Sequence, residues 1–105
     1  MDLEKTARCL AELGNVARLR IFFVLVGAAK EGLTISDIRT ALDMPASTLA
    51  HHLRGMVAVG LVRQERAGRE VRCWPDLERI DCAWQHFQAE CCRGATKRKP
   101  ASRKA

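Results

Sequence analysis

At Gly60 the chain changes its hydrophobic period, and this change restricts what it can fold into more than any other feature of the sequence. Before it, apolar residues recur at steps of three and four, the spacing of one helix face. After it come two extended runs, Leu61–Arg66 and Arg69–Trp74, separated by Ala67-Gly68, a pair suited to a two-residue hairpin turn. Pro75-Asp76 closes the ribbon. Helical spacing then resumes with Ile80, Trp84, Phe87 and Cys91.

The part before Gly60 divides at its own stop signals. Leu3, Ala7, Leu10 and Leu13 predict a helix that Gly14 ends. Asn15 caps a second, Val16 to about Ala29, with Leu19, Phe22, Phe23 and Val26 in helical register. A third, Ile35–Leu42, points Ile35, Ile38 and Leu42 inward. After the turn Asp43-Met44-Pro45, a fourth runs from Pro45 to about Val59. Pro45 stands first in it, where a missing N–H costs nothing, and Gly60 supplies the left-handed residue that ends it. The last helix spans Leu77 to Cys92, with Gly94 placed as its terminator. The order α-α-α-α-β-β-α is mostly α with a small β-hairpin wing, the winged helix-turn-helix plan.

The net charge of +6 is a property of one end. Residues 1–92 balance twelve Lys and Arg against twelve Asp and Glu, whereas residues 93–105 hold six cations and no acid. The expectation is one folded domain, 1–92, and a disordered basic tail, 93–105. Within the domain the cations cluster locally. Residues 53–72 hold Arg54, Arg63, Arg66, Arg69 and Arg72 against Glu65 and Glu70. No run of 18 apolar residues is present, so no membrane span is expected, and the charged start Met1-Asp2-Leu3-Glu4-Lys5 argues against an export signal. The expected location is cytoplasmic.

A recognition helix needs one face in the core and another that offers short polar or cationic side chains to base edges. Residues 45–59 meet this. Leu49, Leu53, Met56 and Val57 pack inward; Ser47, Thr48, His51, His52 and Arg54 lie mostly toward the other side. The positive end of the helix dipole, beside Ser47 and Thr48, suits a phosphate. Arg63 and Arg69, which flank the hairpin, and Arg66 next to its tip suit phosphate or minor-groove contact. Taken alone, such arginines equally well solvate an exposed ribbon. His51 and His52 point about 100° apart on a helix and make a poor chelating pair.

The run Leu10–Ile21 (LAELGNVARLRI), the recognition segment Met44–Leu53 (MPASTLAHHL), and Gly60-Leu61-Val62-Arg63 with the wing stretch 66–71 (RAGREV) together resemble the ArsR/SmtB family over about residues 3–92. The resemblance implies a homodimer joined through the first and last helices. It implies a repressor that binds double-stranded operator DNA and is released by an inducer, with no cofactor and no enzymatic activity.

Five cysteines, an odd number, are expected as free thiols: Cys9, Cys73, Cys82, Cys91 and Cys92. Family members differ in where they hold the inducer. The stretch Thr34-Ile35-Ser36-Asp37-Ile38 lacks the Cys-x-Cys of one arsenic-sensing type, and Asp81 is followed by Ala83 where the zinc-sensing type has His. What remains is Cys91-Cys92, which resembles a branch that senses arsenite or methylarsenite at the end of the last helix. Trivalent arsenic favours thiolates. Cys91 continues an apolar stripe; Cys92 lies off it. Cys9, off the main stripe of the first helix, is the candidate third ligand. Cys82 and His86, four residues apart, could chelate zinc, and Cys73 on a wing strand reads as structural. The alternatives are a thiol redox or sulfide sensor and a zinc-type metal sensor of the same fold. An enzyme finds no nucleophile–base pair, phosphate loop or carboxylate dyad in the sequence.

Overall fold

A computed structural model describes residues 1–28 and 30–92. The expected tail 93–105 and the terminator Gly94 lie outside them. The elements run α1 (Leu3–Leu13), α2 (Val16–Val26), β1 (Leu33–Thr34), α3 (Ile35–Leu42), α4 (Ala46–Ala58), β2 (Val62–Ala67), β3 (Glu70–Pro75) and α5 (Leu77–Cys92). This is the winged helix-turn-helix order with one added strand.

The capping chemistry explains most boundaries. Asn15 Oδ1 accepts from the N–H groups of Ala17 and Arg18 and starts α2. Gly27 ends that helix, three residues short of the sequence expectation, with its N–H on the Phe23 carbonyl. Thr34 and Asp37 form a reciprocal capping box at the start of α3: Thr34 Oγ1 accepts from Asp37 N–H, and Asp37 Oδ2 accepts from Thr34 N–H, each at 3.0 Å. Asp43 turns the chain from α3 to α4 at φ 50°, and Gly60, at φ 83°, follows α4 in the left-handed region as expected.

The wing is a three-stranded antiparallel sheet in the order β1-β3-β2. Val62 pairs with Pro75 at its base and Ala67 with Glu70 at its tip, so the turn residues are Gly68-Arg69. The expected Ala67-Gly68 turn is thus one residue early; Gly68, at φ 66°, takes the first turn position and Ala67 stays in the ladder. β1 was not expected. Its two residues pair with Cys73 and Arg72, and Gly32 permits the approach, because a Cβ there would lie 2.7 Å from the Cys73 carbonyl oxygen.

Ile21 and Leu25 of α2, Ile38 of α3, and Leu49, Leu53 and Met56 of α4 make the centre of the core, closed by Leu61 and Cys73 from the wing and Ala83 from α5. Each such large side chain stabilises the fold by about 1.5–3 kcal/mol relative to its exposed state. Two expectations fail here. Phe23 and Val26 of α2 point to solvent, while Ile21 and Leu25 take the core. In α1 the residues turned inward are Thr6 and Cys9, not the Leu3–Leu10 stripe. No helix among the described residues is long and apolar enough to cross a membrane.

Candidate nucleic-acid interface and thiol site

Helix α4 separates its residues cleanly. Leu49, Leu53 and Met56 are fully buried. On the opposite side Ser47, His51 and Arg54, at steps of four and three, form an exposed stripe, with exposed Thr48 beside it at the N-terminal end. Pro45 is the N-cap residue rather than the first helical residue, and it gives the helix no side-chain cap. The first N–H groups of α4 therefore have no side-chain acceptor and face outward with the positive end of the helix dipole.

The wing arginines fall into two groups. Arg63 is bonded to Glu65 at 2.9 Å and lies over the Trp74 ring at 4.5 Å; Arg72 is bonded to Glu70 and to the Glu31 carbonyl. These two hold the ribbon together. Trp74 in turn donates its indole N–H to the Lys30 carbonyl at 2.8 Å. The side chains of Arg54, Arg66 and Arg69 make no hydrogen bond or ion pair with another described residue and are exposed. A shallow groove of about 330 Å³ between α4 and the wing, lined by Ala50, Arg54, Gln64 and Val71, connects the helix stripe to the ribbon.

His52 departs from the outward set. It is half-buried, and its Nδ1 accepts from Arg18 Nε at 3.3 Å. Burial first, and then the Arg18 cation, hold its protonation below the ordinary histidine range. Arg18 also donates to the Glu12 carbonyl at 3.5 Å and stands 3.6 Å from the Glu12 carboxylate. That carboxylate lies against Gly55, where a Cβ would come within 2.6 Å of Oε1. Sequence reasoning missed this joint between α1, α2 and α4. The one available signal was Gly55 in mid-helix, a residue that weakens a helix unless something needs the space.

All five cysteines are free thiols, in two environments. Cys9 and Cys73 are core residues. Cys9 is 1% exposed, its thiol donates weakly to the Val59 carbonyl at 3.8 Å, and burial pushes its pKa up. This corrects the expectation that Cys9 stands apart from the core. Cys73 is structural, as expected, with Gln64 donating to its sulfur. Cys82, Cys91 and Cys92 are exposed on α5. Desolvation, followed by the charge and hydrogen bond of the neighbouring Cys91 thiol, raises the Cys92 thiol above its usual value. His86, the suggested partner of Cys82, turns Nδ1 to the buried Thr6 hydroxyl at 2.7 Å and Nε2 toward Glu90. It joins α5 to α1. Among the described residues, no group of three or more His, Cys, Asp or Glu is gathered closely enough to hold a metal ion.

Beside the thiols lies an exposed apolar face. Trp84 and Phe87 stack at 5.6 Å and, with Leu77, remain about half exposed; Leu3 on the adjoining α1 is 71% exposed.

The family described as "Helix-turn-helix domain" matches residues 13–65. No curated protein matches the chain. Solved structures do. An ArsR-like transcriptional regulator from Rhodococcus sp. RHA1 superposes with a TM-score of 0.77 at 23% identity, over 90% of this chain and 86% of that one. The homodimeric winged helix-turn-helix DNA-binding domain of Mb0332 from Mycobacterium bovis, a possible ArsR-family transcriptional regulator, gives 0.69 at 22%, over 87% and 82%. The AntR antimony-specific transcriptional repressor gives 0.63 at 18%, over 93% and 91%. At these identities the likeness is one of fold.

Proposed function

The chain belongs to the helix-turn-helix domain family, and from that premise we propose that it is a homodimeric transcriptional repressor whose hold on operator DNA is released by trivalent arsenicals. The observation that carries the DNA reading is the division of α4. Its apolar side is sealed in the core, while Ser47, Thr48, His51 and Arg54 stand exposed at an uncapped helix start, next to the unpaired wing cations Arg66 and Arg69. A polyanion with a groove is the surface this arrangement complements. The exposed Leu3, Trp84 and Phe87 of α1 and α5 are the dimer face in this reading; the Mycobacterium domain of the same fold is homodimeric.

Cys91 and Cys92 are the inducer site in this proposal. They are exposed and adjacent in sequence, at the end of the helix that carries the dimer face. The antimony-specific repressor of the same fold lends support, since antimony and arsenic share a preference for thiolates. Cys9 is not included: a thiol 1% exposed inside the protomer cannot reach a ligand without opening the core. Two thiols favour methylarsenite. Each thiol sulfur displaces one hydroxide from the arsenic of CH3As(OH)2, the thiol protons leave with those hydroxides, and the products are one dithioarsenite and two waters. Drawing both sulfurs to one atom reshapes the last turn of α5, which alters the dimer and so the separation of two recognition helices that must meet major grooves about 34 Å apart. The ligand must bind the released state more tightly; equal affinity for both states moves nothing.

The test is titration of arsenite, methylarsenite, zinc and polysulfide against protein bound to DNA that it has selected from a random duplex pool. Methylarsenite should release the DNA, and Ser at position 91 or 92 should abolish release while binding without inducer persists. Cys9→Ser should leave the response in place. A Cys92→Ser protein that still lets go normally ends the thiol proposal; failure to enrich any duplex ends the DNA-binding one.

A further inference from the structure

The contact between Arg18 and His52 has a second, unused position built beside it. Arg18 Nε carries one hydrogen, and it is directed at His52 Nδ1, 3.3 Å away. Glu12 Oε1 lies 3.6 Å from the same nitrogen, is buried, and has no hydrogen-bond partner among the described residues. A buried carboxylate oxygen without a donor is costly, about 1–3 kcal/mol or more for a charged group. It is tolerated here beside a cation that could serve it but is turned to the histidine instead. The pocket that keeps Glu12 in reach exists because residue 55 is glycine; a Cβ would lie 2.6 Å from that oxygen.

We infer that Arg18, Glu12 and His52 form a two-position, proton-sensitive joint that sets the recognition helix, so that protonation of His52 moves the Arg18 hydrogen to Glu12 and loosens operator binding. The inference rests on the DNA-binding reading above. The groups facing His52 are few: Arg18 from α2, Glu12 from α1, and His51 on its own helix at a ring separation of 5.6 Å. With neutral His52 the cluster holds one cation and one carboxylate, and Nδ1 is an acceptor. A proton on Nδ1 removes the acceptor, sets a second cation against the guanidinium, and leaves Glu12 Oε1, 3.6 Å from Nε, to take that N–H. The tie from α2 to α4 is then lost. His52 sits one residue from His51 and four from Thr48 on the exposed side of α4, so a small rotation there displaces the contact stripe. His52, half-buried and held by Arg18, is thus a positioning residue and not a groove contact.

Burial, and then the Arg18 and His51 neighbours, already disfavour the proton on His52. Its folded value lies below that of the unfolded chain, so stability from this site is complete above the ordinary histidine range and is lost as pH falls through that range toward the folded value. The joint therefore holds near neutrality and opens in acid.

The test compares three proteins, wild type, His52→Asn and His52→Ala, on one duplex selected from a random pool by the wild type at pH 7.5, from pH 8 to pH 5. Asn retains an acceptor near Nδ1 but cannot titrate. His51 is common to all three, so its own response to pH cancels in the ratio. At pH 8 His52→Asn should bind within about threefold of wild type and His52→Ala roughly tenfold more weakly, the size of one lost hydrogen bond to a charged group. As pH falls, wild type should lose roughly tenfold relative to His52→Asn, within the limit of tenfold per pH unit for one proton. The Arg18 side-chain N–H resonance should move with the same midpoint as the His52 ring, in the absence of DNA. A wild-type to His52→Asn ratio that stays flat with pH, or an Arg18 resonance that ignores His52 titration, overturns the joint. Failure to select any duplex at pH 7.5 would instead strike the DNA-binding reading, and the resonance experiment would still decide the joint.

Discussion

The two ends of this molecule expose opposite kinds of surface. Around α4 and the wing, the large apolar residues are buried and what faces out is Ser47, His51, Arg54, Arg66 and Arg69. Around α1 and α5, the reverse holds: Thr6 and Cys9 are buried, while Leu3, Trp84 and Phe87 stand out, with Trp84 51% exposed. Each helix carries an apolar stripe, so amphipathicity alone does not distinguish the two ends. The difference lies in which stripe the single protomer can cover. The α4 stripe finds α2, α3 and the wing. From α5, Ala83 enters the core and Ile80 packs against it, while Trp84 and Phe87 remain about half exposed. One end is complete and offers polar chemistry; the other leaves apolar surface open, the face assigned to a second copy in the proposed dimer.

The largest effect should come from the incomplete end. Replacing Trp84 and Phe87 together by Ala should weaken self-association at least a hundredfold, since aromatic anchors at the centre of an interface are each worth about 2 kcal/mol or more. Sedimentation at micromolar protein should then show monomer, with circular dichroism unchanged. A variant that remains a dimer would remove the contrast between the two ends.

At the complete end, opposite faces of one helix should respond in opposite assays. Leu49→Ala empties a fully buried site and should cost about 2–5 kcal/mol of stability. Ser47→Ala, two residues earlier, should change stability by no more than about 0.5 kcal/mol. It should instead weaken specific DNA binding by about 1–3 kcal/mol if it meets a base. Denaturant melts and fluorescence anisotropy on the same two proteins separate these outcomes. On the wing, Arg66→Ala and Arg69→Ala should each lower the slope of log affinity against log salt by about 1. Arg63→Ala should act on the ribbon itself, because that guanidinium is bound to Glu65 and stacked on Trp74. Equal salt slopes for all three would mean the division of the wing cations has no functional content.

The same contrast sets what could be read from the sequence. The recognition helix and wing were legible because their burial is completed within the chain: period, Pro45, Gly60 and the hairpin all point one way. The start of α5 at Leu77 was legible from Pro75-Asp76. The inward side of α1 and α2 was not. In a sequence, an apolar residue that waits for a partner looks the same as one in the core, so Leu10 and Phe23 outweighed Cys9 and Ile21. β1 was hidden for another reason; two residues show no alternation, and Leu33-Thr34 becomes a strand only because β3 passes beside it. The Arg18–His52 contact joins residues 34 apart in sequence and leaves no local pattern.

The smallest effect should separate the two ends most finely. Thr34 and Asp37 cap α3 at the point where β1 hands over to the helix-turn-helix, so their reach should be confined to the complete end. Thr34→Val keeps the shape of the side chain and its place beside Arg72 but removes the hydroxyl that accepts from Asp37 N–H. Loss of such a cap costs about 1 kcal/mol. The Thr34 backbone N–H, and then the Thr34 hydroxyl, hold the Asp37 carboxyl below the usual carboxylate range. With a folded value below the unfolded one, the stability from this site is complete above the unfolded value and is lost as pH falls through the folded value. In Thr34→Val the larger, backbone contribution survives, so the acid limb of the stability profile should shrink without vanishing; in Asp37→Asn it should vanish. Amide exchange should quicken in α3 and leave α1 and α5 unchanged in both proteins. If protection in α1 and α5 falls in step with α3, the two ends unfold as one unit, and their difference is one of surface and not of stability.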